Sequence, residues 1–373
     1  MEVKFFDPTR EYNNKKNNFT KAIMEVLETG NFIMGEQVSK LEKSIEEYTG
    51  AKHAIAVSSG SDALALASDL LEFNNGKEVI TSPFTFFSSA SCLYHSGAKP
   101  VFVDVDEDTF NMDMKLVEKA INKNTVGILP VHLFAQMTDM DKVCELANSY
   151  DLKILEDAAE SFGMKWQGKG SSLKHSGTIG DMGIYSFFPT KTLGAYGDAG
   201  MIITNNEELY LKAKSYRVHG ATKKYHHDYV GYNARLDTMQ AAILNIKLRS
   251  IDAAIEKREE VANWYYDQLK DISEVKLPII KGNQKPVYYV FNIRCNRRDE
   301  LQLFLKENGI QTTIYYPRPL HLQKCFDYLN YNLGDFPVAE KLCEEVLALP
   351  IYPEITEDEV SFVCNKITKF YKQ

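Results

Sequence analysis

Short apolar, β-branched runs recur along the first two-thirds of the chain, at 54–57, 78–81, 101–105, 126–131, 152–155, 183–187 and 201–204. Between several of them the apolar positions fall at three- and four-residue spacing, which predicts helices over 61–71, 112–121, 140–149 and 207–215. Continuous apolar strands alternating with helices are buried on both faces, so the pattern predicts βαβ units and a mostly parallel sheet. In such sheets ligands sit where the loops leave the carboxyl ends of the strands. After about residue 245 the rhythm changes. Residues 248–269 predict one long, charged amphipathic helix, apt as a connector. Beyond it, 287–294 and 312–316 predict strands, and 299–308, 338–347 and 357–371 predict helices. The expected class is α/β, with a large domain over 1–245 and a smaller α+β domain over 246–373. No internal repeat, low-complexity tract or long linker interrupts the chain.

Composition narrows the field. The 373 residues carry 43 basic and 51 acidic side chains, a net charge of −8, and 44% are apolar, as in an ordinary soluble globular protein. The acidic balance argues against a nucleic-acid partner, which needs an excess of Lys and Arg on one face. No run of about 18 apolar residues is present, so no membrane-spanning helix is expected. The opening MEVKFFDPTREYNNKKNN is charged throughout and lacks the apolar core of a secretory signal. Cys92, Cys144, Cys295, Cys325, Cys343 and Cys364 lie far apart with no C-x-x-C pair, so no metal site is expected and reduced thiols in a cytoplasm are.

Four segments carry candidate chemistry. Tyr185-Ser-Phe-Phe-Pro-Thr-Lys-Thr-Leu-Gly-Ala-Tyr-Gly-Asp-Ala-Gly200 runs from a strand into a loop with one lysine, Lys191, among apolar and small residues. A surface lysine in a Gly-containing turn has the same local pattern, whereas a Schiff-base lysine requires a partly desolvated amine of lowered pKa. Ile154-Leu-Glu-Asp-Ala-Ala-Glu160 places Asp157 at the end of an apolar strand. A carboxylate there either caps the next helix or, if buried, needs a cation such as the protonated pyridine nitrogen of pyridoxal phosphate. In Val57-Ser-Ser-Gly-Ser-Asp-Ala-Leu-Ala-Leu66 a strand turns through Gly60 into a helix that begins near Ser61, a helix cap and equally a phosphate cradle. Pro83-Phe-Thr-Phe-Phe-Ser-Ser89 brings aromatics to the sheet edge, where Phe86 or Phe87 either packs in the core or stacks on a flat ring. No Walker loop occurs, and the Gly168-Lys-Gly-Ser-Ser172 run reads as a turn.

Together and in this order, these segments resemble the fold-type I pyridoxal-phosphate enzymes, and most closely the DegT/DnrJ/EryC1/StrS nucleotide-sugar aminotransferases. The resemblance extends over nearly the whole chain. It includes Gly30-Asn-Phe-Ile-Met-Gly-Glu-Gln-Val38, Ser59-Gly-Ser-Asp-Ala63, Glu156-Asp-Ala-Ala159, Ser186-Phe-Phe-Pro-Thr-Lys-Thr-Leu-Gly194 and Gly197-Asp-Ala-Gly200. It continues through Arg217-Val-His-Gly220, Gly231-Tyr-Asn-Ala-Arg-Leu-Asp-Thr-Met-Gln-Ala-Ala242 and Tyr315-Tyr-Pro-Arg-Pro-Leu-His-Leu-Gln323. It implies the aspartate aminotransferase-like fold, with Lys191 as the lysine that bears the cofactor and shuttles the proton, and Asp157 as the partner of the pyridine nitrogen. Phe86 is implied to stack on the ring, and Gly60, Ser61 and Ser186 to hold the phosphate. Asn233 is implied to reach the cofactor phosphate of a neighbouring subunit, which makes the active form a homodimer with shared sites. Position 160, where Gln or His is common in the family, is Glu160 here. It is expected to touch the cofactor's ring-hydroxyl side or the sugar, or to be a structural carboxylate beside them.

The implied reaction moves the amino group of L-glutamate to a nucleotide-linked keto-sugar, for cell-surface polysaccharide or antigen biosynthesis. A lysine at 191 favours amine transfer, since dehydrating relatives carry histidine there. Asn233-Ala-Arg-Leu-Asp237 resembles the branch that aminates C-3, and Lys224-Tyr-His-His227 resembles enzymes acting on UDP-2-acetamido-3-keto-glucuronate, in which Arg235 is implied to grip the sugar carboxylate. Tyr316 and His321 are expected to line the substrate side. Some of those relatives carry His where this chain has Tyr315, which keeps a neutral dTDP-3-keto-6-deoxyhexose and a C-4 keto-sugar as alternatives. A non-catalytic regulatory relative is expected to lack the lysine or the aspartate, and both are present. A Rossmann oxidoreductase needs G-x-G-x-x-G in the first βα unit, and none occurs.

Overall fold

The computed structural model describes residues 1–134, 136–169, 173–281 and 284–372. Two helices open the chain, α1 (Pro8–Thr29) and α2 (Glu36–Thr49). Strands and helices then alternate: β1 (His53–Val57), α3 (Gly60–Leu70), β2 (Glu78–Thr81), α4 (Ser88–Ser96), β3 (Lys99–Phe102), α5 (Met114–Ala120), β4 (Thr125–Ile128), α6 (Met140–Tyr150) and β5 (Lys153–Asp157). The short strands β6 (Lys165–Trp166) and β7 (Lys174–His175) precede β8 (Met182–Ser186), β9 (Gly200–Thr204) and α7 (Glu207–Tyr216). A small hairpin of β10 (Ala221–Lys223) and β11 (His226–His227) leads to α8 (Thr238–Leu248) and α9 (Ile251–Leu269). The chain finishes with β12 (Val275–Lys276), β13 (Gln284–Lys285), β14 (Phe291–Cys295), α10 (Arg298–Glu307), α11 (Pro337–Glu345), β15 (Val346–Leu349) and α12 (Glu357–Tyr371).

The main sheet has seven strands in the order β1-β9-β8-β5-β4-β2-β3. All neighbours are parallel except β9, which runs antiparallel to β1 and β8. Successive strand residues point to opposite faces, and both faces are buried. Ile55, Val57, Leu155, Ile184 and Ile202 pack with Leu64 of α3 and Leu93 of α4, while Ala54, Ala56, Ile154, Tyr185 and Ile203 pack with Leu41 of α2, Leu146 of α6 and Leu244 of α8. A third cluster, built on Val261, Phe291, Leu301, Leu347 and Val360, holds α9, α10 and α12 against the β12-β14-β15 sheet. Val3 belongs to it and bridges to Ile310, so the chain's first residues pack with its last third.

All seven main strands lie where the apolar runs predict them, although the third sits at Lys99–Phe102 rather than 101–105. Three expectations from the last third change. The helix expected over 248–269 is α9 and starts three residues later, at Ile251, because Ser250 leaves helical geometry (φ −123°, ψ 21°) after α8 ends at Leu248. That break turns the chain while the buried Lys247 at the end of α8 reaches Glu11 of α1 at 2.7 Å. The helix expected to 347 ends at Glu345, and Val346–Leu349 is a strand paired with β14. A four-residue apolar run suits either element, and the neighbouring strand decides. Of the strand expected over 312–316, only Thr313 bridges, to Ala348. The division expected near residue 245 falls within α8. Part of the turn expected at 168–172 lies outside the described residues. No helix among the described residues is long and apolar enough to cross a membrane.

Candidate active site

The carboxyl ends of β5 and β8 and the start of α3 converge on one cavity of about 580 Å³, lined also by Phe86, Tyr289 and Tyr316. Asp157 closes β5 and is buried. Its Oδ2 accepts the Ser89 hydroxyl at 2.7 Å and its Oδ1 accepts the Ala159 N–H at 3.2 Å. Burial pushes this carboxyl up from its ordinary value, and the two hydrogen bonds, Lys191 and His132 only partly pull it back. The carboxylate therefore faces the cavity short of positive charge.

Lys191 follows β8 in a turn closed by its own N–H on the Phe188 carbonyl. Its Nζ lies 3.4 Å from Glu160 Oε1 and 4.2 Å above the centre of the Tyr289 ring. Burial alone lowers the pKa of this amine, as the sequence pattern predicts for a Schiff-base lysine. The net shift is upward instead, because Tyr289, Glu160 and Asp157 outweigh the burial. Glu160 Oε1 also accepts the Tyr316 hydroxyl at 3.3 Å, and its Oε2 accepts the Phe134 N–H at 3.4 Å.

At the other end of the cavity, Ser59 caps α3 by accepting the Asp62 N–H. Among the described residues the Gly60 and Ser61 N–H groups have no acceptor. The Ser61 hydroxyl meets that of Ser88 at 2.6 Å. Gly60 packs against the end of β8 so closely that a Cβ would stand 2.7 Å from Cβ of Ser186. Gly200 passes the same turn, where a Cβ would stand 2.3 Å from the Ser59 carbonyl oxygen. Unpaired N–H groups, a helix N-terminus and three hydroxyls suit an oxyanion.

Lys191, Asp157, Glu160, Gly60, Ser61, Ser186, Phe86 and Tyr316 thus share this cavity, with Phe86 exposed at its rim, 6.3 Å from the Tyr316 ring. Three expected residues are not among its walls. Asn233 and Arg235 are exposed on the segment before α8, where Arg235 Nε donates to Asn233 Oδ1 at 2.9 Å. His321 is buried, with Nε2 3.0 Å from Glu340 Oε1 and its ring packed on Phe336. Sequence reasoning missed Ser89 and Tyr289. Ser89 sits in the Pro83–Ser89 segment already singled out, one helical turn from Thr85. Tyr289 lies in an apolar run whose distance from Lys191 in sequence hides their contact.

Comparison with known proteins places the chain. A model of the DegT/DnrJ/EryC1/StrS aminotransferase family matches residues 13–368. The "Pleiotropic regulatory protein" of Geobacillus stearothermophilus is 44% identical, over 100% of this chain and 99% of that protein. The UDP-N-acetyl-3-dehydro-alpha-D-glucosamine 3-aminotransferase of Acidithiobacillus ferrooxidans is 39% identical, over 93% of this chain and 92% of that protein. The crystal structure of S. venezuelae DesV in complex with a ketimine intermediate superposes with a TM-score of 0.96 at 35% identity, covering 100% of this chain and 99% of that one.

Gly60→Ala tests the close approach of α3 to β8. The added methyl forces these rigid segments apart at a cost of about 1–3 kcal/mol. We expect affinity for pyridoxal phosphate, titrated by absorbance, to fall at least about tenfold while the helical signal in circular dichroism stays intact.

Proposed function

The chain belongs to the DegT/DnrJ/EryC1/StrS aminotransferase family and depends on pyridoxal phosphate, and from that premise we propose that it transfers the amino group of L-glutamate to the C-3 keto group of a nucleotide-linked sugar. The observation that carries this reading is one buried cavity holding an amine, a carboxylate short of positive charge and an oxyanion-ready helix start. These donors fit the cofactor. Bound pyridoxal phosphate supplies a carbonyl carbon open to an amine and a protonated ring that draws electrons from the bond being broken.

In this reading Lys191 anchors the cofactor through its amine and, once released, carries a proton between substrate atoms. Asp157 holds the ring-nitrogen proton, which places the missing positive charge against a buried carboxylate. Gly60 and Ser61 donate to the phosphate, Ser186 adds a hydroxyl, and Phe86 covers the ring from the rim. Asn233 and Arg235, exposed on the segment before α8, serve the site of a second copy, so the active form is a homodimer.

The preferred acceptor is UDP-2-acetamido-3-keto-glucuronate, with Arg235 gripping its C-6 carboxylate. Support comes from the Asn233-Ala-Arg-Leu-Asp237 segment and from the C-3 chemistry named for the Acidithiobacillus relative. A second reading, a sugar with no carboxylate, is favoured by the cavity itself. Its described walls bring three carboxyl groups together, Asp157, Glu160 and Asp198, which disfavour a further anion beside them.

Borohydride reduction of the yellow holoprotein, followed by peptide mapping, should fix the cofactor on Lys191, and Lys191→Ala should lower turnover by about 10³-fold or more. Label on another lysine rejects the assignment. In a panel of 3-keto and 4-keto nucleotide sugars assayed with glutamate, Arg235→Ala should cost a uronate substrate about tenfold or more, as expected for a lost charged hydrogen bond, and spare neutral sugars. Equal losses remove its proposed role. Lys191→Ala and Asn233→Ala chains, each poor alone, should recover measurable activity when mixed and allowed to exchange subunits. Exchange without recovery argues against shared sites.

A further inference from the structure

Two glutamates stand on either side of Asp157 in the chain, and they are held in opposite ways. Glu156 is fully buried and saturated. Its carboxylate accepts the N–H groups of Gly177, Ile179 and Gly180 at 2.9, 2.6 and 2.6 Å, and the His132 ring at 2.9 Å. The strand alternation of β5 turns it away from Asp157, and it is not part of the cavity wall. Glu160 lies in that wall, and its three donors stand at 3.3–3.4 Å. Charge-assisted hydrogen bonds usually close to about 2.7–2.9 Å. The charge of Glu160 is therefore not committed to a fixed backbone cradle and stays available to the amine beside it.

The other groups around Lys191 lack that contact. Asp157 makes no hydrogen bond to Nζ and is already engaged by Ser89 and Ala159. Tyr289 presents its ring face, with its hydroxyl bonded to Thr190 at 3.1 Å. Tyr315 and Tyr316 close the same side, and of these Tyr316 donates to Glu160. Behind the lysine loop, a second cavity of about 310 Å³ is lined by Glu11, Lys15, Lys247, Arg258 and Glu354. There Glu11 is taken by Lys247 at 2.7 Å and Lys15 at 3.1 Å. The rim of this second cavity adds Asp7 and Lys257. Among the described residues, Glu160 supplies the hydrogen-bond acceptor of the Lys191 amine.

We infer that Glu160 is a positioning residue that stabilises the ammonium form of Lys191 when its amine is free, through the oxygen that Lys191 shares with the Tyr316 hydroxyl. The inference rests on the reading of Lys191 as the cofactor-bearing amine and deepens it. Lys191 takes a proton from one substrate atom as the neutral amine and gives it to another as the ammonium, so stabilising the ammonium favours the uptake and holds the proton until it is passed on. When Lys191 gives its proton up, the N–H bond breaks, its electron pair stays on nitrogen, and the acceptor atom gains the hydrogen. Glu160 takes no part in that transfer. The Tyr316 O–H on the same oxygen then keeps the carboxylate hydrogen-bonded beside the neutral amine.

The test is the titration of Lys191 in the full-length chain loaded with pyridoxamine phosphate, the form that leaves the lysine free. Competitive labelling with an amine-reactive anhydride across alkaline pH, read by mass spectrometry, gives its midpoint. In Glu160→Gln the midpoint should fall, so that Lys191 labels about tenfold faster at a pH below it, the change expected for one pKa unit. Glu160→Asp, which keeps the charge, should recover most of the wild-type curve. A role for Glu160 in packing alone changes labelling by one factor at every pH and leaves the midpoint unmoved, and that result overturns the inference. Should Glu160→Gln fail to fold, Tyr316→Phe reads the same link with the opposite sign. With the hydroxyl gone, that carboxylate oxygen is left to the amine alone and the midpoint should rise, and an unmoved midpoint there likewise overturns the inference. Borohydride mapping of the pyridoxal-phosphate form of each variant separates the two failures. An adduct away from Lys191 rejects the reading of the lysine, while an adduct on Lys191 with an unmoved midpoint rejects only the role of Glu160.

Discussion

Burying a carboxylate at the end of a parallel strand leaves the fold in need of a positive charge, and the surroundings of Asp157 meet that need only in part. Ser89 and Ala159 each contribute one hydrogen bond, and Lys191 acts from a distance without one. An uncompensated ion in a protein interior costs several kcal/mol, so such a group either takes up a proton or receives a cation. For an enzyme whose cofactor carries a basic ring nitrogen, the second route joins stability to chemistry. In the proposed role the charge that relieves Asp157 is the charge that makes the ring an electron sink.

The remaining groups follow from where strand ends meet helix starts. Because β5 and β8 are parallel neighbours, their carboxyl ends deliver Asp157 and the Lys191 loop to the same edge of the sheet. The start of α3 joins them only because Gly60 and Gly200 let two turns of backbone pass within a side chain's width of β8 and β9. Near this edge the charges are sorted by their hydrogen bonds. Glu156, on the far face of β5, is locked by four donors, whereas Glu160, a few residues later, is loosely shared among an amine, a phenol and one backbone N–H. Adjacent carboxylates of one short segment thereby take different duties without any difference in residue type.

Much of the architecture was legible along the chain. The seven apolar runs of the sheet and the helices between them announce themselves by period, because burial on both faces leaves few polar positions in a strand. The last third is less legible for a physical reason. Val346–Leu349 satisfies a strand and a helix equally until β14 lies beside it, and the start of α9 after Ser250 leaves no mark in the apolar spacing, since a few residues at a helix end scarcely change the period. In the cavity, Lys191, Asp157 and the Ser59-Gly-Ser61 turn stood out as residue types in suggestive loops. The contact of Lys191 with Tyr289, about a hundred positions away, had no local signal at all.

What the sequence determined by itself is therefore the periodic part: a buried parallel sheet, the loops at its strand ends, and the polar residues those loops carry. What only the tertiary structure decided is how those residues share charge. The Schiff-base reading of position 191 required an amine of lowered pKa, as burial alone provides. The folded chain reverses that shift by setting Tyr289, Glu160 and Asp157 around the amine. Electrostatic balance depends on distances of a few ångströms between groups remote in sequence, and hydrophobic periodicity carries no record of those distances.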